Sequence, residues 1–171
     1  MPRITAELAG GLNRCAFLDM VTQSEIGAAL LLKSDDGYNV IVGSTPEAPI
    51  LFPCLVDGSI NYSVHPHMYQ KKQNSTAAGR YQELWANWVS YSASLGLADF
   101  SPVSQDRMAL QQIKEAGAFA LIDAGSIAKA IAACAHLWAS FAGAGYGQHE
   151  QKLANLIQWY ETAGGGLNVD R

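Results

Sequence analysis

Apolar positions recur at helical spacing early in the chain, and an acid occupies one of them. Phe17, Val21 and Glu25 stand at i, i+4 and i+8 of the run Phe17-Leu18-Asp19-Met20-Val21-Thr22-Gln23-Ser24-Glu25, so the carboxylate continues the stripe by which that helix faces its core. The pattern predicts a first helix over residues 5–24, broken near Gly10-Gly11, with Asn13 capping its second half. Over residues 37–64 the helical period disappears. Tyr38-Asn39-Val40-Ile41-Val42, rich in β-branched residues and bounded by Gly37 and Gly43, reads as a strand. Asp57-Gly58 is a turn signal between the extended segments 50–56 and 60–64, and Pro53 restricts the first of these to a sheet edge.

Beyond Gln82 the pattern returns to helix and stays there. Leu84, Trp85, Trp88, Val89, Ser92 and Leu95 follow one face, and Gly96 supplies a left-handed stop. Ser101-Pro102 is a cap and first-turn pair for a helix through Glu115, with Gly117 as its end. Ser126 is expected to cap an Ala-rich helix over 127–141, and a last helix spans 148–162 before Gly164. A small β element among several helices makes this an α+β domain, with the β-rich lobe (about 37–64) as one lip of a cleft and a mainly helical lobe as the other.

Composition narrows the classes. A chain of 171 residues can bury one sizeable core, so 1–171 is expected to be a single domain. Hydrophobic residues at 49% against 15% charged exclude a disordered chain. A formal net charge of -4 with scattered basic residues argues against nucleic acid or an anionic membrane as partner. Cys15, Cys54 and Cys134 are odd in number and widely spaced, which speaks against a disulfide framework. Arg3, Glu7, Arg14 and Asp19 interrupt the N-terminal apolar groups, so neither a signal peptide nor a membrane span is expected there. A monomer in the cytoplasm follows as the expectation.

Glu25 is the leading candidate for chemistry. The negative end of the helix dipole and desolvation both favour the protonated carboxyl, the state a general acid needs; the same residue also fits a surface Glu at a frayed helix end. In Ser75-Thr76-Ala77-Ala78-Gly79-Arg80-Tyr81-Gln82, hydroxyls and small residues precede a helix, so a ligand can approach the backbone with Thr76 and Gln82 as hydrogen-bonding groups. An ordinary capped helix start explains the same residues. Gly143-Ala144-Gly145-Tyr146-Gly147-Gln148 lacks the spacing of a phosphate cradle and follows no strand, so Tyr146 on this loop suits sugar contact better. His65-Pro66-His67 has no evident third metal ligand, and nothing local activates the Cys54 thiol toward His65. No metal and no cofactor are expected. Asp35 and Asp36 precede Gly37 and fit either a solvated turn or the second carboxylate of a two-acid glycosidase.

Several blocks in collinear order resemble the lambda-phage lysozyme (endolysin) family. They are Ala16-Phe17-Leu18-Asp19-Met20 leading to Ser24-Glu25, Gly37-Tyr38-Asn39-Val40-Ile41-Val42-Gly43, His65-Pro66, the 75–82 segment, Asp99-Phe100-Ser101-Pro102, Ala109-Leu110-Gln111-Gln112-Ile113-Lys114-Glu115, and the 143–148 loop. The resemblance implies a lysozyme-like fold and a lytic transglycosylase acting on peptidoglycan glycan strands. Glu25 matches the single catalytic acid: it would protonate the oxygen linking N-acetylmuramic acid to N-acetylglucosamine, then remove the proton from the C6 hydroxyl of the same muramic sugar, leaving a 1,6-anhydro end. Tyr38, Ser75, Thr76, Gln82 and Tyr146 are the expected saccharide-binding residues. Two other readings remain open, a hydrolytic muramidase using Asp35 or Asp36 and a non-catalytic wall-binding or virion structural module.

The chain departs from the family pattern in three places. Ile26 follows Glu25 where the pattern has Gly, the 27–36 segment matches poorly, and about a dozen extra residues fall within 44–59, readable as a self-packed hairpin or as a lid over the glycan. The resemblance also implies that the protein waits in the host cytoplasm until a separate membrane-lesion protein releases it to the wall.

Overall fold

The computed structural model describes residues 1–145 and 150–168. The chain divides into two compact units, one of Met1–Glu25 with Ala109–Arg171 and one of Ile26–Met108. Its helices are α1 (Ala6–Ala9), α2 (Leu12–Glu25), α3 (Ala28–Leu31), α4 (Trp85–Leu95), α5 (Pro102–Glu115), α6 (Phe119–Asp123), α7 (Ile127–Cys134) and α8 (Leu153–Thr162).

The first unit is helical and packs around α2, which contacts α1, α6 and α8. Cys15, Ala16, Phe17, Leu18, Met20 and Val21 are all buried, so α2 is enclosed on most of its circumference rather than along one stripe. Gly10, left-handed at φ 92, ends α1 and starts the break, because a residue without Cβ adopts that conformation at little cost. Thr5 caps α1 through its hydroxyl. Asn13, expected to cap α2, lies inside it instead. Its amide donates to the Ile122 carbonyl and accepts from the Gly166 N–H, a tertiary latch in place of a local cap.

The helix expected over 127–141 ends at Cys134, and Ser126 provides no side-chain cap. The following residues turn back on themselves through Leu137 N–H to Cys134 O and Phe141 N–H to Trp138 O, which lets Trp138 and Phe141 bury their rings. The last helix begins at Leu153; the earlier start expected at residue 148 lies outside the described residues.

The second unit contains the β-rich segment. The strand expected at 38–42 forms isolated antiparallel bridges, Val40 with Leu51 and Ile41 with Ala78, because the chain turns away before a continuous ladder can form. The Asp57-Gly58 turn forms as expected, with Leu55 N–H bonded to Ser59 O and Asn61 N–H to Pro53 O. The base of this hairpin is packed: Phe52 is buried, stacks at 6.0 Å on Phe100 and meets Tyr62 edge-on. Leu55 and Val56 at its tip are exposed. Around Phe100 gather Ile41, Ala78, Trp88, Leu97 and Met108, and α4 ends at left-handed Gly96 as its pattern predicts.

One buried polar network ties this unit together. Asp106, fully buried on α5, accepts from the Tyr38 hydroxyl at 2.8 Å and the Tyr81 hydroxyl at 2.6 Å. The neighbouring Gln105 amide donates to the Tyr38 and Phe100 carbonyls and accepts the Arg80 N–H. Buried donors and acceptors that are mutually satisfied hold a unique arrangement, and removing one strands the others. Asp106→Ala is expected to cost on the order of 3 kcal/mol, and Tyr38→Phe about 1 kcal/mol. Denaturant unfolding checks both values, and an unchanged midpoint for Asp106→Ala would contradict the assignment.

Candidate active site

Glu25 is the last residue of α2. Phe17 and Val21, its predecessors on the same stripe, are completely buried, and Ser24 is only 8% exposed. Glu25 itself is half-buried as a residue, at the end of the packed helix. Burial pushes its carboxyl above the ordinary value of 4.5, and two opposing influences, the hydroxyl and the backbone of Ser140, pull it down by hydrogen bonding. Burial is the larger effect. A carboxyl whose proton affinity is raised by burial yet which retains donors for the anion suits successive acid and base roles.

Ser140 reaches this position through aromatic anchors on either side. Phe141 meets Phe17 edge-on at 6.3 Å, and the Trp138 and Phe141 rings pack at 5.2 Å. The Ser140 hydroxyl donates to Glu25 Oε1 at 2.5 Å and lies 2.6 Å from the Ser24 hydroxyl. A hydroxyl has one proton to give. When Ser140 donates to an ionised Glu25, Ser24 must therefore be the donor to Ser140.

Residues 150 and 151 secure the same loop from the other side. The Gln151 N–H donates to the Ser140 carbonyl at 2.8 Å. The Glu150 carboxylate accepts from the Gly143 and Gly145 N–H groups, each at 2.8 Å, and these bonds hold its pKa below the usual Glu range. Ser24, Ser140 and Glu150 are absent from the residues expected from sequence. Ser140 is 115 positions from Glu25, and no local pattern connects residues so far apart.

The expected saccharide-binding residues divide. Tyr38 is completely buried. Its hydroxyl is committed to Asp106, and the Arg80 guanidinium lies over its ring at 4.9 Å. The groove role expected for Tyr38 is therefore corrected to a core role: an aromatic flanked by glycine and a β-branched run fits either place, and only burial distinguishes them. Ser75, Thr76 and Gln82 are half-buried in one turn-rich segment. The Ser75 hydroxyl accepts from the Ala77 N–H, and the Thr76 hydroxyl accepts the Trp85 N–H at the start of α4. Gln82, at a positive φ of 51, directs its amide to the Gly79 carbonyl. Tyr146 lies outside the described residues.

Both aspartates considered as a second carboxylate already have partners. Asp36 pairs at 2.8 Å with Arg80, whose side chain is 2% exposed, and its carbonyl also accepts from that guanidinium. Asp35 accepts from the Tyr62 hydroxyl at 2.8 Å. The two histidines of the His65-Pro66-His67 run are likewise engaged. The His67 N–H donates to His65 Nδ1, leaving His65 Nε2 to donate to the Glu83 carbonyl, and burial lowers the His65 pKa. With both ring nitrogens used, His65 is not disposed to bind a metal. His67 stacks on Trp85 at 4.5 Å.

Comparison with known proteins matches the endolysin family over residues 15–167. The chain is 44% identical to the endolysin of Escherichia phage P2, covering 90% of this chain and 93% of that protein. It is 47% identical to the endolysin of Escherichia phage lambda over 90% and 92%. Among solved structures it matches bacteriophage lambda lysozyme complexed with a chitohexasaccharide, with a TM-score of 0.81, 44% identity, and 98% and 100% of the two chains covered. A second lambda lysozyme structure matches with a TM-score of 0.76 at 43% identity, with the same coverage. The fold is lysozyme-like, and the chain belongs to the endolysin family.

Proposed function

We propose that the protein degrades peptidoglycan as a phage-type endolysin, and that it does so by lytic transglycosylation with Glu25 as sole acid and base. The observation that carries this reading is the setting of Glu25: a carboxyl at a helix end whose proton affinity burial raises, supplied with hydroxyl and backbone donors from Ser140 for its anion. The lambda lysozyme structure with a chitohexasaccharide supports a β-1,4-linked amino-sugar chain as ligand.

In the first step Glu25 gives its proton to the glycosidic oxygen between N-acetylmuramic acid and N-acetylglucosamine as the bond to the muramic C1 breaks. In the second, the C6 oxygen of the same muramic residue bonds to C1 while its proton passes to Glu25. The acid is regenerated and no water is consumed. A nucleophile tethered to the reacting sugar has a high effective concentration, which removes the need for a second carboxylate to activate water. The engagement of Asp35 with Tyr62 and of Asp36 with Arg80 supports this division of labour. Ser75, Thr76, Gln82 and Tyr146 are proposed to bind the saccharide. In this reading the chain acts as a monomer and a separate membrane-lesion protein gives it access to the wall; no helix among the described residues is long and apolar enough to cross a membrane.

Glu25→Gln is expected to fold and to lose about 10² to 10⁴ in lytic rate, since an amide cannot give and then recover a proton. Retention of more than roughly a tenth of the activity in a clearing assay would exclude Glu25 from that role. Mass spectrometry of the digest should find 1,6-anhydromuramic ends, with Asp35→Asn and Asp36→Asn active per folded molecule; reducing muramic ends with collapse in either Asp variant would establish the two-carboxylate hydrolase instead.

Stability should carry the same signature. Because burial raises the folded pKa of Glu25 above its unfolded value, ionisation favours the unfolded chain: stability is intact below the unfolded value and lost as pH rises toward the folded one. Glu25→Gln should therefore melt higher than wild type at neutral pH and converge with it in acid. Identical melting curves at neutral pH would contradict the raised pKa.

A further inference from the structure

The proposed reaction requires one carboxyl to be a good acid and, moments later, a good base, and burial alone serves only the first requirement. We infer that Ser140 is a positioning residue for Glu25, and that Ser24 and Ser140 form a two-hydroxyl chain whose hydrogen bonds reverse direction as Glu25 changes protonation state. This inference rests on the reading of Glu25 as acid and base.

The geometry has three parts. The distances of 2.5 Å from Ser140 to Glu25 and 2.6 Å from Ser24 to Ser140 are those of strong O–H···O bonds. With Glu25 ionised, the order runs from the Ser24 hydroxyl to Ser140 to the carboxylate. With Glu25 protonated, each hydroxyl can turn, so the carboxyl donates to Ser140 and Ser140 to Ser24. The reversal moves no heavy atom, and no net proton leaves Glu25 except to the sugar.

The second part is rigidity. Ser24 is buried one residue before Glu25 on α2, so the same helix fixes both side chains. Ser140 is held by the buried Trp138 and Phe141 rings beside it, by the Gln151 N–H on its carbonyl, and by the Glu150 clamp on Gly143 and Gly145 beyond. Holding the donor in place before reaction avoids reorganisation when charge appears on the carboxylate.

The third part is electrical: among the described residues, no charged group figures in the shift of Glu25. Besides Glu25, α2 carries Arg14, Cys15 and Asp19, the helices packed against it carry Glu7, Asp123, Tyr160 and Glu161, and the chain on either side of Ser140 carries Cys134, His136 and Glu150. Asp19 faces the N-terminal amine at 3.5 Å, the Cys134 thiol is buried and pushed up to about 12, and Glu150 is committed to the glycine N–H groups. Burial and Ser140 account for the behaviour of Glu25 without any of them. A change at Ser140 is therefore read out at Glu25 directly.

The test compares Ser140→Ala, Ser140→Thr and Ser24→Ala in the full chain on soluble glycan strands, with thermal melting as a check on folding. Ser140→Ala should lower kcat roughly ten- to a hundredfold with KM changed by less than about twofold. The alkaline limb of its kcat profile should move to higher pH, because a donor to the anion has gone. Ser140→Thr, which keeps the hydroxyl, should recover both, and Ser24→Ala should move the limb the same way by less. Near-wild-type kcat with an unmoved limb in Ser140→Ala, or equal losses in Ala and Thr, would overturn the inference. Should Ser140→Ala fail to fold, Ser24→Ala decides it: a shifted limb supports the chain, an unmoved one overturns it. Failure of the underlying reading is seen separately, as an active Glu25→Gln.

Discussion

The hydrogen bond between the Ser140 hydroxyl and Glu25 Oε1, made where burial disfavours a negative charge, is the contact on which the site depends. Without burial Glu25 would be an ordinary ionised surface acid, unable to protonate a leaving group at neutral pH. With burial and no donors it would hold its proton and be reluctant to release it. The opposed effects, desolvation raising the pKa and Ser140 lowering it with desolvation the larger, suit the proposed acid and base steps.

Much of the first unit serves to place that contact. The buried core residues of α2 fix its axis, and the edge-on packing of Phe141 against Phe17 links the loop that carries Ser140 to the helix that carries Glu25. The clamp at residues 150 and 151 closes the loop. In the second unit, by contrast, the buried ionic and phenolic groups are structural. Asp106, Tyr38 and Tyr81 satisfy one another, and Arg80 with Asp36 stabilises the turn in which Asp36 takes a positive φ of 50. Removing Asp106 strands two buried phenols, and removing Asp36 deprives the buried Arg80 of its ion pair, which are stability defects.

How much was legible in the sequence follows from how local each signal is. Helix stops written in glycine, such as Gly10 and Gly96, and the Ser101-Pro102 start of α5 were readable because a residue or two determines them. Glu25 was readable as a continuation of an apolar stripe. Asn13 and Ser126 show the limit of cap reasoning, since tertiary partners outcompeted the local bond for Asn13 and the Ser126 side chain provides no cap. The strand at 38–42 had the right composition but too little pairing to form a ladder. Tyr38 misled because the same aromatic fits a groove or a core. Ser140 was invisible, as its hydrogen bond to Glu25 spans more than a hundred residues.

The proton affinity of Glu25 in the unliganded protein tests the central claim most directly. Carbon-detected NMR titration of the labelled carboxyl, assigned with Glu25→Gln, measures it without substrate or turnover. A midpoint above the ordinary value of 4.5 is expected, because burial outweighs the Ser140 hydrogen bonds. A midpoint at or below that value would contradict the proposed role of Glu25 as the acid that begins the reaction.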